Sequence, residues 1–180
     1  MAKSNIKRLA LILAISAGLA ISLSVRADTF SATATVSNVI TMTETQALDF
    51  GSVYAISGGG AGDVESMSMT PGGVITYGGT GTISNLVSLG GQTPGIIDLS
   101  GMAANTTVTV TSGGEVDLNN GNPASATFVF VVSDDTAGSL TTDGTGAGTI
   151  NIGGSITTED TANTFQDGIY TGSYDVTVSY

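Results

Sequence analysis

Carboxylates are the only side chains in most of this chain that could carry acid–base or metal chemistry. Past Arg26 there is no Lys, Arg, His or Cys. A Ser or Thr nucleophile needs His or Lys as its base, Schiff-base chemistry needs Lys, and a phosphate clamp needs Arg. None of these can be assembled. Carboxylate-pair hydrolysis of glycosides survives the composition, with Asp134 and Asp135 or Asp63 and Glu65 as the pairs on offer. Adjacent residues on a strand point to opposite faces, which separates Asp134 from Asp135. The chain also has no Trp to serve as a sugar platform. The expectation is a protein that is not an enzyme and has no catalytic residue and no cofactor.

Three short motifs read as turns. Asp49-Phe50-Gly51 copies the metal-binding tripeptide of kinases, but the Lys such a site requires is absent. Gly144-Thr145-Gly146-Ala147-Gly148 lacks the glycine spacing of a dinucleotide loop and the helix that should follow it. Gly59-Gly60-Ala61-Gly62-Asp63 falls one residue short of the calcium nonapeptide G-G-x-G-x-D, which binds through stacked tandem copies. Solvated turn carboxylates account for it, and no metal ligand is assigned.

The four basic residues, Lys3, Lys7, Arg8 and Arg26, mark an export tag. Lys3, Lys7 and Arg8 precede an apolar run over 9–23, and Val25-Arg26-Ala27 places small residues at the −3 and −1 positions of a cleavage site. The reading is a signal peptide over 1–27. The apolar run is shorter than the ~20 residues of a spanning helix, so no membrane association is expected after cleavage. Removing four cations from a net charge of −11 leaves −15. Nucleic acid is excluded as a partner, because binding it requires Lys or Arg to displace counterions. Export also sets the localisation: periplasm, cell surface or medium.

With no cysteine, nothing staples the fold. About 150 residues suffice for one self-supporting core. Short apolar alternations separated by Gly-rich turns predict an all-β sandwich. Residues 106–111 (TTVTVT) put Val108 and Val110 on one face, and 126–132 (ATFVFVV) reads as a central strand buried on both faces. Residues 115–118 lead into Asn119-Asn120-Gly121-Asn122-Pro123, where Asn-Gly predicts a tight hairpin turn. Residues 149–152 and 155–158, joined by Gly153-Gly154, read as a further hairpin.

The strongest alternation lies at the two ends. From Tyr170 to Tyr180 a long half-buried strand is predicted, with Tyr170, Gly172, Tyr174, Val176, Val178 and Tyr180 on one face. Near the other end Phe30, Ala32, Ala34 and Val36 share a face opposite Ser31, Thr33, Thr35 and Ser37. The organisation is therefore a signal peptide over 1–27, an N-terminal strand or donor arm over 28–42, and a sandwich over 43–180.

The Ala/Thr arm, Leu48-Asp49-Phe50-Gly51-Ser52, the Met69-Thr70-Pro71-Gly72-Gly73 turn and the terminal G-x-Y-x-G-x-Y-x-V-T-V-x-Y over 168–180 together resemble an uncharacterised family of small exported bacterial β-proteins. That resemblance implies a fold and no activity. More distantly, the chain resembles chaperone-usher pilin subunits of the spore-coat-U-like branch. The likeness implies an incomplete immunoglobulin-like antiparallel sandwich whose groove is filled by the arm of the next subunit, with a periplasmic chaperone and an usher as partners. The chain lacks the cysteine pair common in classical subunits, and Tyr180 is its last rather than penultimate residue.

A donor strand needs one apolar face at period two and another that tolerates water. Phe30, Ala32, Ala34 and Val36 meet that, with Tyr170, Tyr174, Val176, Val178 and Tyr180 as the other assembly strand. Pairing within its own domain, as its first strand, explains every residue of the same arm and is the favoured reading of it. The expected function is a non-enzymatic structural or adhesive surface component, pilin-like and self-associating through strand edges. The alternative is a monomeric binding module for glycan or calcium.

Overall fold

A computed structural model describes residues 31, 33–34, 39–56, 62–81, 85–158 and 163–180. The chain divides into two compact units, Met1–Val36 and Ser37–Tyr180. In the first, the described Ser31, Thr33 and Ala34 are exposed and belong to no strand. The second carries every described element. These are β1 (Thr41–Gln46), β2 (Ser52–Ile56), β3 (Glu65–Met69), β4 (Ile75–Gly79), β5 (Asn85–Gly90), β6 (Gly95–Ser100), β7 (Thr107–Ser112), β8 (Glu115–Leu118), β9 (Phe128–Asp134), β10 (Ser139–Thr141), β11 (Gly148–Thr158) and β12 (Val176–Ser179). All pairings between these strands are antiparallel, and no helix occurs among the described residues. The fold is the all-β sandwich class expected, with sheets curled around one core.

β11 is the spine of that core. Ile152 faces Gly95 on β6 and Asp134 on β9, so β6 and β9 lie on opposite edges. Two residues on, Gly154 faces Met69 on β3 and Val132 on β9. One edge of β11 therefore takes β6 along its first half and β3 along its second. β1 extends the sheet beyond β6, β4 beyond β3 and β8 beyond β9. Ile150 and Ile152 on β11, Met67 on β3 and Leu99 on β6 are essentially sealed from solvent. Fully burying such side chains contributes about 1.5–3 kcal/mol each.

Gly153 and Gly154 make the handover from β6 to β3 possible. A Cβ on Gly153 would drive into the Met69 carbonyl oxygen, and one on Gly154 would stand 2.5 Å from the Phe130 ring. The predicted hairpin over 149–158 is therefore corrected. The glycine pair does not turn the chain. It stays inside one eleven-residue strand and lets three neighbours approach its backbone.

β7 and β8 are nearly one strand, interrupted by Gly113-Gly114, and the C-terminal segment runs antiparallel along both. Thr171 bridges Asn119, the Gly113 amide donates to the Asp175 carbonyl at 2.6 Å, and Val178 faces Val110. The long C-terminal strand is thus realised as a segment that crosses from β8 to β7, with only Val176–Ser179 fully strand-like. The face assignment holds for Tyr170, Tyr174, Val176 and Val178, which are half-buried. Tyr180 departs from it at 58% exposed, its hydroxyl accepting from the Ala103 amide at 3.0 Å.

Two further expectations are corrected. β9 has a strand on each edge, yet Phe128, Phe130 and Val132 are buried while Val131 is 43% exposed, so it is buried on one face only. β8 and β9 do form a hairpin, with Leu118 opposite Phe128, but a nine-residue loop over 119–127 joins them instead of a tight Asn-Gly turn. Only Gly121 of the Asn-Gly pair adopts a positive φ. Residues 106–111 match β7, with Val108 and Val110 buried as expected.

Candidate functional site

A groove of about 850 Å³ opens on one side of the Ser37–Tyr180 unit. One wall is residues 48–55, comprising the Leu48-Asp49-Phe50-Gly51 turn and most of β2. The other is residues 165–172 with Tyr174. Leu118, Phe128, Phe130 and Ile156 form the floor, so it is built from β8, β9 and β11. β2 pairs along one edge only, with β5. The C-terminal segment is held by a ladder from β12 to β7, by the Gly113 amide on Asp175, and by isolated bridges of Thr171 to Asn119 and Thr164 to Ser125. Among the described residues β2 has no ladder partner on its second edge.

The aromatic side chains fall into two groups. Phe50 and Tyr174 both meet Phe130 edge-on, with centroids 5.9 and 5.8 Å away. Phe165 stacks on Phe128 at 4.3 Å, and Tyr170 meets Phe128 edge-on at 5.1 Å. Each such contact adds about 0.5–1.5 kcal/mol beyond simple burial. Tyr54, 50% exposed, and Ile169, 83% exposed, leave apolar surface uncovered at the two walls.

Each wall is fixed by a local polar device. On the first, the Asp49 carboxylate accepts from the Gly51 amide at 2.7 Å while Asp49 and Thr93 exchange backbone hydrogen bonds. Gly51 has φ +71° and packs so closely on the 90–92 backbone that a Cβ there would lie 2.7 Å from the Gln92 nitrogen. Asp49-Phe50-Gly51 is thus a structural knuckle that caps its own turn and sends Phe50 toward the core.

On the second wall the Tyr170 hydroxyl is the anchor. It donates to the Gln166 carbonyl at 2.8 Å, accepts from the Gln166 amide at 3.0 Å, and lies 2.6 Å from the Ser125 hydroxyl. A tyrosine bonding back to backbone four residues upstream is the device of the tyrosine corner in immunoglobulin-type sandwiches. Across the groove's end, burial raises the Tyr174 hydroxyl above its ordinary pKa, and the charge of Glu44 adds to the effect.

A family profile described as a domain of unknown function (DUF4402) matches residues 40–180. The chain belongs to that family. No curated protein and no solved structure matches it. In this DUF4402 chain the match begins one residue before β1 and takes in both groove walls and the floor.

The residues singled out from sequence divide clearly. Tyr170 and Tyr174 line the groove. Val176 and Val178 pack against the core from β12, and Tyr180 sits beyond that strand. Ala34 is exposed, while Phe30, Ala32 and Val36 lie outside the described residues. Phe50, Tyr54, Phe165 and Gln166 line the groove and Ser125 anchors Tyr170 without any sequence alternation that marks them. A lone aromatic within a polar stretch, as in Thr164-Phe165-Gln166-Asp167, was the available sign.

The Asp134–Asp135 pair is committed to structure instead. Asp134 accepts from the Ser112 hydroxyl at 2.7 Å and the Thr136 amide at 2.8 Å, whereas Asp135 binds Asn151 through its amide nitrogen at 3.0 Å and its side chain at 2.6 Å. Burial pushes Asp134 up, but the hydrogen bonds from Thr136 and Ser112 outweigh it and hold its pKa below the ordinary value. Asp143 is held low by the Ala147 amide, then by Thr145, inside the 143–147 turn. Among the described residues no group of three or more His, Cys, Asp or Glu could hold a metal ion.

Proposed function

We propose that this protein is an exported, non-enzymatic structural or adhesive surface component that assembles by β-strand addition, in the manner of a pilin subunit. The observation that carries the reading is the groove itself. One wall carries β2, whose second edge is unpaired, the other is a non-strand segment held by the Asn119–Thr171 bridge, the floor is the hydrophobic core, and apolar rings stand half-covered along it. An inserted strand would satisfy the open backbone edge of β2 and cover the rings, the two gains that drive strand addition. Phe30, Ala32, Ala34 and Val36 of another copy supply the matching period-two face, with side chains small enough for a floor already filled by aromatics. Residues 29–38 carry no charge, so the arm approaches a chain of net −15 without adding repulsion.

Deleting residues 28–36 while leaving β1 intact tests the proposal. The intact protein is expected to form concentration-dependent oligomers or fibres, seen by sedimentation and electron microscopy, and the deletion is expected to be a folded monomer. A monomeric state for both proteins at every concentration would overturn the reading and favour a monomeric binding module.

A further inference from the structure

We infer that Asn120-Gly121 is a latent self-modification site whose reactivity is held back by the docked C-terminal segment. This inference is independent of the assembly reading. Asn-Gly is the dipeptide most prone to ring closure, because glycine leaves its amide nitrogen unshielded. In that reaction the Gly121 backbone nitrogen loses its proton and attacks Asn120 Cγ. The new C–N bond forms as the Cγ–Nδ2 bond breaks, and ammonia departs with the proton. Water then opens the five-membered succinimide at either carbonyl to leave aspartate or isoaspartate. Water is the only co-reactant.

Access to the site is open. Gly121 is exposed, and nothing lies within 4 Å of where its Cβ would stand. The polar contacts, in contrast, restrain each reacting group. The Gly121 amide, the nucleophile, donates to Asn119 Oδ1 at 3.2 Å. Asn120 Oδ1 accepts from the Asn122 amide at 3.0 Å, and Asn120 Nδ2 reaches the Tyr170 hydroxyl at 3.4 Å. Asn119 is in turn bridged to Thr171 by two backbone hydrogen bonds, 3.1 and 2.9 Å. Two of the three restraints therefore depend on residues 170–171 staying docked. Ring closure requires the Asn120 side chain to swing toward Gly121, so it proceeds from the conformers in which this corner has opened.

The product would matter locally. Isoaspartate adds a backbone methylene beside the Asn119–Thr171 bridge, and either product places a carboxylate next to the Tyr170 hydroxyl. No basic side chain beyond Arg26 exists to neutralise that charge. The modification would therefore favour the opened corner that produced it.

The test is the rate of deamidation at Asn120 in the purified protein at mildly alkaline pH, native and in urea. It is read by mass spectrometry after acid-residue-specific proteolysis, with isoaspartate separated by retention time. The native rate is expected to be at least ~10-fold below the unfolded rate, as local protection implies. Tyr170→Phe should raise the native rate, and Asn119→Ala, at an exposed position, should raise it independently by releasing the Gly121 amide. Asn120→Gln should abolish the signal. Near-UV circular dichroism establishes that each variant is folded. Equal rates in native and unfolded protein would overturn the inference, as would a native rate unchanged in both Tyr170→Phe and Asn119→Ala.

Discussion

The two sides of the Ser37–Tyr180 unit use the same alternating strands to opposite ends. Around β11 every edge is occupied by β6, β3 or β9, and Ile150, Ile152 and Ile156 vanish from solvent. Around the groove, β2 keeps one edge open, while Tyr54 and Ile169 stay exposed beside core rings. Period-two alternation decides which face of a strand is buried, but edge pairing is decided by what else the chain has available. The spine side is complete. The groove side leaves the second edge of β2 unpaired.

Substitutions should separate the sides, beginning with the largest effect. Gly154→Val places side-chain atoms where Phe130 and the Val131 carbonyl already stand. It is expected to cost more than about 3 kcal/mol, by analogy with overpacked and strained cores, and urea denaturation should show a large loss or no folded state. A near-neutral result would mean that β11 is not packed on both edges.

Tyr170→Phe keeps the ring on Phe128 but removes the hydroxyl shared with Gln166 and Ser125. About 1–3 kcal/mol should be lost. Amide exchange should rise first in residues 164–172, with β11 still protected. A uniform rise across both sides would erase the contrast.

How far the sequence revealed this arrangement follows from what each pattern encodes. Val108 and Val110 on β7 and the half-buried face from Tyr170 to Val178 were legible, because alternation reports burial directly. The role of Gly153-Gly154 was not, because glycine marks a turn and a close approach alike, and only the positions of Met69 and Phe130 distinguish them. The Asn119–Pro123 hairpin failed for a related reason. Leu118 and Phe128 set the β8–β9 register, and the Asn residues were drawn into side-chain hydrogen bonds within the longer loop. At the groove, Tyr170 and Tyr174 were visible through their spacing. Phe50 and Phe165 were hidden, since each stands alone in a polar turn and meets its partners only through tertiary folding.

Acid should act on the closed side more weakly than either substitution. Asp134 at the end of β9 has its folded pKa below 3.8, so its stabilising contribution is complete above that value and is lost as pH falls through the lowered one. The group is largely solvated, which limits the contribution to under about 1 kcal/mol. Asp134→Asn should flatten this part of the acid-denaturation curve. A curve identical to the parent would show that the Ser112 and Thr136 hydrogen bonds do not favour the charged form. Smaller still, Ile169→Ser at the groove wall should change monomer stability by less than ~0.5 kcal/mol, while weakening oligomers seen by sedimentation.

Completion of the groove by an added strand is directly measurable. The direct measurement is residue-resolved amide exchange of the protein lacking residues 28–36, with and without a synthetic peptide of residues 28–38. Strand addition should bring new protection along both β2 and residues 170–175, together with a further upward shift in the Tyr174 titration as its ring is covered. Protection on neither wall, or on an edge remote from the groove such as β4, would contradict it.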